Sequence, residues 1–272
     1  MVLPLGTPGI AQTLFRRGGR ELDHSNMLLQ LLKPGDRCLD LGANLGYYTI
    51  MMASAVGKDG AVLAVEPDPR NLPILRANIA LNNVDDAVTV WTCAISDRSG
   101  SKTLRIDGPT NLSRLSSDDG MASVTVETRP LVDLSSEINP VDLLRMDVEG
   151  SEVNILAPSQ VEFIRHMSSK GKIFVEVHPD RYPSPAVFAG MVESLCSEGF
   201  THWAVVSEGT RVDPVFARLG LRSVACFREG SRFRCLFLGV SPNACTELCT
   251  TLPQVARYFV ASREVLDPYF TQ

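Results

Sequence analysis

Short apolar runs alternate along this chain with longer stretches of helical periodicity, and most of the runs end in a polar or glycine-rich turn. The run Cys38-Leu39-Asp40-Leu41 reads as a strand. The glycine turn Gly42-Ala43-Asn44-Leu45-Gly46 follows, and then an apolar helix through Ile50 to Val56. Ala61 to Val65, Val88 to Trp91 (running on through Ala94-Ile95-Ser96-Asp97), Val141 to Met146 and Lys172 to Val175 read as further core strands. Helical spacing over 23–32, 70–82 and 188–198 supplies the connections, and Lys33-Pro34-Gly35-Asp36 stops the first of these helices. Trp203 to Val206 and Phe233 to Val240 complete a set of seven strands. Strands alternating with helices predict an α/β protein. Its sheet is doubly wound, mostly parallel and seven-stranded, with helices on both faces in a Rossmann-like arrangement.

Five stretches lie outside this alternation. Residues 107–121 are rich in Ser, Asp, Asn and Gly, and residues 207–232 are irregular, so both are expected to form the acceptor side and at least one to act as a lid. Residues 102–106 read as an antiparallel return and 124–128 as a half-exposed strand, and the tail over 244–266 reads as mostly helical. The expected organisation is a helical extension at 1–33, a main domain at 34–240 and a helical tail at 241–272.

Composition narrows the class. Of 272 residues, 44% are apolar and 21% charged, which is ordinary for a globular chain with a sizeable core. The net charge of −5 argues against a nucleic-acid surface, which would carry a basic stripe. The seven cysteines are scattered and lack zinc spacing, so they are expected to be reduced, as in a cytoplasmic protein. No apolar run reaches membrane-spanning length, and Arg16-Arg17 lacks the apolar stretch of an export signal.

The spacing Asp40-x-Gly42-x-x-x-Gly46 departs from the dinucleotide fingerprint Gly-x-Gly-x-x-Gly, which disfavours a nicotinamide dehydrogenase. A carboxylate at the strand end would repel a pyrophosphate. It suits a cationic ligand such as S-adenosyl-L-methionine, with its sulfonium and amino groups. Glu66 stands 20 residues after Gly46, where an acidic residue accepts hydrogen bonds from a ribose diol. Four strand ends carry acidic or imidazole groups: Asp40, Glu66-Pro67-Asp68, Asp147-Val148-Glu149 and Glu176-Val177-His178. In a parallel sheet they converge on the rim where ligands bind. Ala94, Ile95 and Ser96 end the third strand and are expected to flank an adenine.

Residues 34–240 resemble the FkbM-type family of S-adenosylmethionine-dependent methyltransferases, which have the class I methyltransferase fold. The resemblance rests on Lys33-Pro34-Gly35-Asp36, the block Asp40 to Thr49, Val65-Glu66-Pro67, Asn78, Ala94-Ile95-Ser96-Asp97, the block Met146 to Glu152, and Glu176-Val177-His178. It implies methyl transfer to a hydroxyl of a small molecule, a sugar or secondary metabolite, with S-adenosyl-L-homocysteine as product. It also implies a cytoplasmic enzyme of secondary metabolism with no nucleic-acid or membrane partner; a homodimer stays open. The implied cofactor contacts are Asp40, Gly42, Ala43, Asn44, Gly46, Tyr47, Tyr48, Thr49, Glu66, Pro67, Asn71, Ala94, Ile95, Ser96 and Asp147. His178 is the candidate general base, by its pKa and its place on the rim. Asp147, Glu149 and Glu176 are expected around the acceptor hydroxyl, and Asp147 or Glu149 is the alternative base. The same four side chains would suit Mg²⁺ or Mn²⁺, but no spacing demands a metal and that reading is not favoured. An inactive binding scaffold is the non-enzyme alternative. Arg145 replaces the lysine frequent in the family, a change expected to matter little.

Overall fold

The computed structural model describes residues 1–4, 10–19, 21–106, 113–116, 122–207, 214–229, 232–250, 256–266 and 270. The first half runs α1 (Ile10–Arg17), α2 (Leu22–Leu31), β1 (Arg37–Leu41), α3 (Tyr47–Val56), β2 (Ala61–Val65), α4 (Leu72–Leu81) and β3 (Val88–Trp91). Four short strands follow: β4 (Ala94–Ser96), β5 (Gly100–Arg105), β6 (Arg114–Ser116) and β7 (Ser123–Pro130). The chain continues with β8 (Val141–Met146), α5 (Glu152–Ile155), α6 (Val161–His166), β9 (Met167–Glu176), α7 (Pro185–Ser197) and β10 (His202–Ser207). It closes with α8 (Pro214–Arg218), β11 (Ser223–Glu229), β12 (Arg232–Leu238), α9 (Pro242–Thr250) and β13 (Ala256–Ser262).

The main sheet has nine strands in the order β11-β12-β10-β13-β9-β8-β1-β2-β3. The five strands from β9 to β3 are parallel neighbours. The other end is antiparallel: β13 runs against both β9 and β10, and β12 runs against β10 and β11. The sheet is therefore mixed and nine-stranded, not a mostly parallel sheet of seven. The physical reason lies in the tail. The stretch read as helical holds α9 and then β13, whose residues Ala256 and Tyr258 to Ser262 are buried. A strand covered on both faces is a continuous apolar run, which periodicity cannot tell from a buried helix. Residues 207–232 likewise contain α8 and β11 and are not wholly irregular.

The run from Val88 to Asp97 also divides. β3 ends at Trp91, and β4 leaves the main sheet to pair in parallel with β7. A second sheet results, in the order β4-β7-β5-β6. The proposed loop at 107–121 lies outside the described residues except for 113–116, which include strand β6. Of the loop at 207–232, residues 208–213 and 230–231 are likewise outside them.

Alternate strand residues face opposite cores. Leu39, Leu41, Leu144, Met146, Ile173, Val175 and Phe259 join one cluster with Phe188 of α7. Cys38, Leu143, Phe174, Tyr258 and Val260 join the other with Met27 of α2 and Met52 of α3. By this period of two, Asp40, Arg145 and Glu176 all belong to the α2 and α3 side. One cysteine expectation is corrected: Cys226 and Cys235 stand opposite each other on β11 and β12 and form a disulfide, while the remaining five are free. Nine residues of sequence separation hide a pairing that only the hairpin register creates. Among the described residues no helix is long and apolar enough to cross a membrane.

Candidate active site

Strand β1 ends at Leu41, and the chain turns through Gly42 with φ 83° and Asn44 with φ 53° before Gly46, φ 87°, opens α3. A Cβ on Gly42 would lie 2.0 Å from the Asp147 carbonyl oxygen, so only glycine lets the turns after β1 and β8 pack together. Asn78 of α4 holds the turn from behind, its Nδ2 donating to the Leu45 carbonyl at 2.9 Å. Every amide from Gly42 to Gly46 already donates inside the protein. The acceptors are the Val65 carbonyl (3.0 and 3.1 Å), Glu66 Oε2 (2.7 Å), Asn44 Oδ1 (2.8 Å) and the Ala43 carbonyl (2.9 Å). The turn therefore has no spare amide in this stretch for a phosphate, the group a dinucleotide would bring to it.

A cleft of about 860 Å³ opens above the turn. Gly42, Ala43, Asn44, Tyr47, Tyr48, Glu66, Pro67, Ala94, Ile95 and Asp147 line it, joined by Cys93, Leu104, Leu115, Arg145 and Glu149. Most of the cofactor contacts implied by the resemblance thus share one wall. Glu66 is buried, and it accepts hydrogen bonds from the amides of Asn44 and Asp68 and from Asn71 Nδ2 at 3.2 Å. Burial pushes its carboxyl up to about 7 despite those donors. Asn71 is accordingly a prop for Glu66 and does not line the cleft.

Asp40 and Thr49 sit behind the wall. Both are fully buried, and Thr49 Oγ1 donates to Asp40 Oδ2 at 2.6 Å. The other oxygen of Asp40 is 3.1 Å from Arg145 Nη1, and Arg145 Nη2 is 3.1 Å from Asp147 Oδ2. Arg145 also donates to the Gly42 carbonyl and lies 4.5 Å above the Tyr48 ring. The residue that the sequence treats as a minor departure is a buried bridge between two strand-end carboxylates. Asp147 keeps its Oδ1 buried at the cleft without a hydrogen-bond partner among the described residues.

Beyond Asp147 the cleft meets an open hollow of about 1590 Å³, and the two share Ile95, Leu115, Glu149 and Ser151. Ser96, Asp97, Lys102, Asn154 and Arg181 give that hollow a polar, mixed-charge lining. Ser96 belongs here, in contact with Lys102 and Asp97, and not to the cleft itself. Outside both, Arg70 joins Asp68 to Ile106 after β5 and Ser113 before β6. Its Nη1 donates to the Ile106 carbonyl at 2.8 Å and its Nη2 to Ser113 Oγ at 3.0 Å.

The four expected catalytic side chains split. Asp147, Glu149 and His178 come together, with His178 Nε2 3.5 Å from Glu149 Oε2 and 4.0 Å from Asp147 Oδ1. Glu149, which has φ 54°, is also ion-paired with Arg181. Glu176 turns to the opposite face of β9. There it meets Arg257 at 2.7 Å, and the same guanidinium holds Glu21 at 2.9 Å. Glu21 in turn accepts from Tyr48 Oη at 2.6 Å, which ties the start of α2 to the cleft wall. Burial, with Asp147 adding to it, raises the Glu176 carboxyl.

Burial works against a charged His178 ring, but the Glu152 carboxylate in contact with it, with Asp147 and Glu176 nearby, more than offsets that and raises it to about 9. Glu152 was not among the expected site residues. It lies inside the Met146 to Glu152 block, but nothing in that block marks it as reaching a histidine 26 residues away. The ligand-type atoms of Asp147, Glu149 and His178 lie within 4.8 Å of one another, as do those of Glu21, His24 and Glu176. Arginines already pair with the carboxylates of both trios, so we read their charge as balanced by protein groups and do not assign metal ligands.

A large mixed sheet flanked by helices, with a glycine turn after β1 and a buried acidic group after β2, makes up an α/β methyltransferase-like fold. The family model described as Methyltransferase FkbM domain matches residues 40–201, and the chain belongs to that family. Its structure is similar to that of an FkbM methyltransferase from Methylobacillus flagellatus, at 16% identity and TM-score 0.47 over 75% of this chain. The match spans 43% of that protein's chain, less than half its length. A SAM-dependent O-methyltransferase from Thermotoga maritima is similar at 15% identity and TM-score 0.44, over 94% of this chain and 71% of that one. A putative rRNA methylase from Clostridium thermocellum is similar at 13% identity and TM-score 0.45, over 81% and 96%. No curated protein sequence matches the chain.

Proposed function

We propose that this chain transfers a methyl group from S-adenosyl-L-methionine to a hydroxyl oxygen of a small, polar acceptor such as a sugar. One observation carries the reading: the cleft between Gly42 and Glu66 reaches Asp147 and Glu149 and meets the polar hollow at Glu149, and His178, which lines neither, has its Nε2 3.5 Å from Glu149 Oε2. The residues fit the cofactor on their own terms. Glu66 is a buried carboxylate for a ribose diol, the turn lacks free amides for phosphate, and Asp147 Oδ1 is an orphaned acceptor for an ammonium group. Ala94, Ile95 and Leu104 supply apolar contact for an adenine.

When bound, S-adenosyl-L-methionine supplies an electrophilic methyl whose C–S bonding pair returns to sulfur as the new C–O bond forms. The protein's part is alignment and proton removal. His178 Nε2 accepts the hydroxyl proton, and Glu149, braced by Arg181, orients the acceptor. The acceptor lies in the polar hollow, with no nucleic acid involved.

Calorimetry with S-adenosyl-L-homocysteine and transfer of a labelled methyl group to a panel of polyhydroxylated acceptors test the reading. Binding that Glu66→Ala weakens roughly tenfold to a hundredfold is expected, because a buried partner is left unpaired. His178→Ala should lower kcat roughly a hundredfold with cofactor affinity unchanged. Absence of S-adenosyl-L-homocysteine binding would overturn the function. Turnover abolished by chelator and restored by Mg²⁺ or Mn²⁺ would overturn the histidine's role.

A further inference from the structure

Glu152 opens α5 five residues after Asp147, and its side chain is fully buried. Its Oε1 lies 2.8 Å from His178 Nδ1 and also accepts the Gly150 amide at 3.0 Å. The His178 amide donates to Tyr182 Oη at 3.0 Å. The imidazole is thus held at its backbone and at one ring nitrogen, and its other nitrogen is directed to Glu149 and Asp147 on the rim.

An ionised carboxylate can only accept, so the neutral ring beside it carries its proton on Nδ1 and presents Nε2 as the acceptor. We propose that Glu152 is the positioning residue of the histidine base, fixing its Nδ1–H tautomer and stabilising the imidazolium that forms when the acceptor hydroxyl gives up its proton. This rests on the reading of His178 as the base. The proton moves from the acceptor oxygen to Nε2, the ring becomes cationic, and the Nδ1–H to Glu152 bond becomes an ion pair without a second proton transfer. The proton leaves to solvent after the methylated product departs.

A purely structural role would not need the charge. A glutamine could accept both the Gly150 amide and the Nδ1–H with its carbonyl oxygen, and a neutral amide is cheaper to bury than a carboxylate. The charge is what changes the basicity of the ring. The other groups around the imidazole are Asp147 and Glu149 after β8, Arg181 and Tyr182 beyond β9, and Glu176, which acts electrostatically from the other face of β9.

The test is ¹⁵N NMR titration of histidine-labelled protein, which has four histidines, with the His178 signals identified from His178→Gln. Wild-type protein should show His178 as the Nδ1–H tautomer with a pKa well above an ordinary histidine. In Glu152→Gln that pKa should fall by a unit or more. In the labelled-methyl assay the acid limb of the kcat profile should move down with it, and the plateau should fall at least tenfold at unchanged KM for S-adenosyl-L-methionine. An Nε2–H tautomer in the wild type, a measurement that needs no Glu152 variant to fold, would overturn the proposal. So would an unmoved His178 titration in Glu152→Gln. S-adenosyl-L-homocysteine calorimetry on the same samples separates the two ideas. Binding with an unmoved titration sinks the Glu152 role alone, and no binding with the expected titration sinks the methyl-transfer reading alone.

Discussion

Arg145 of β8 and Asp40 of β1 are direct register partners on adjacent parallel strands, and their side chains meet at 3.1 Å out of contact with solvent. The same guanidinium reaches Asp147 at the cleft. A buried acid behind the glycine turn is therefore neutralised from the next strand, and the rim carboxylate Asp147 is fixed by the same group. Burial disfavours the charged guanidinium, but Asp40 and Asp147 together hold it protonated.

Arg145→Met should destabilise the fold by about 3–5 kcal/mol, since it leaves Asp40 charged and without its guanidinium partner. Urea unfolding measures this. The double variant Arg145→Met with Asp40→Leu should recover most of the loss, because an apolar pair can replace a buried ion pair at little cost. A loss under about 1 kcal/mol in the single variant would mean that the bridge is not a main support of the turn.

Much of the α/β frame is legible in local pattern. β1, β2 and β8 are apolar runs, each followed within a few residues by Gly or an acidic group. What the sequence hides are relations between distant positions. Asp40 and Arg145 are the polar interruptions of two apolar strands, and their opposite charges are a signal that the strands lie side by side. The pairing itself needs 105 residues of chain to fold back. Glu176 and His178 sit two apart and so invite being grouped. The strand ends between them, and Glu176 faces α2 while His178 turns to the rim with Glu152. β13 is hidden for a third reason, since a doubly covered strand carries no alternation to read.

Gly42→Ala should abolish S-adenosyl-L-homocysteine binding and lower Tm. The added methyl would meet the Asp147 carbonyl at 2.0 Å, and the backbone φ of 83° is strained for any L side chain. The turns after β1 and β8 would have to separate, which displaces Asp147 and Glu66 from a common wall. Calorimetry and thermal unfolding check this, and wild-type affinity in the variant would show that the close approach is dispensable. Gly57→Ala, where nothing lies within 4 Å, controls for backbone strain alone at φ 69°.

S-adenosyl-L-homocysteine affinity should rise with pH through about 7 and then level off. Burial pushes the Glu66 carboxyl up to about 7 in the unliganded protein, so below that value it is mostly protonated. A ribose diol donates to the ionised carboxylate, so binding must release the proton and is opposed at acid pH. Calorimetry in buffers of different ionisation enthalpy should detect close to one proton released per ligand at pH 6 and almost none at pH 8.5. In Glu66→Gln the release should vanish. Release that persists in the variant would assign the proton to another group.

Thermal stability should fall as pH rises from 7 to 9.5, with Glu176 contributing up to about pH 8 and His178 accounting for most of the slope above it. Its folded-state pKa is raised from 6.5 to about 9, so the protonated ring stabilises the fold. That contribution is fully present below 6.5 and is lost as pH climbs through 9. A shift of this size corresponds to about 3 kcal/mol as an upper figure. Loss of that much should lower Tm by several degrees in a domain of this length. Glu66 has the same sign, with its carboxyl raised above the ordinary range. Its contribution is lost between 4.5 and about 7 and that of Glu176, raised to about 8, is lost by about 8, so the histidine is read from the slope above pH 8. His178→Ala should flatten the profile above pH 8, and Glu152→Gln should move the fall to lower pH, because it removes the carboxylate in contact with the ring. Differential scanning calorimetry at half-unit steps reads all three. A wild-type slope between pH 8 and 9.5 that matches the His178→Ala slope would show that the ring is not held charged by its carboxylate neighbours.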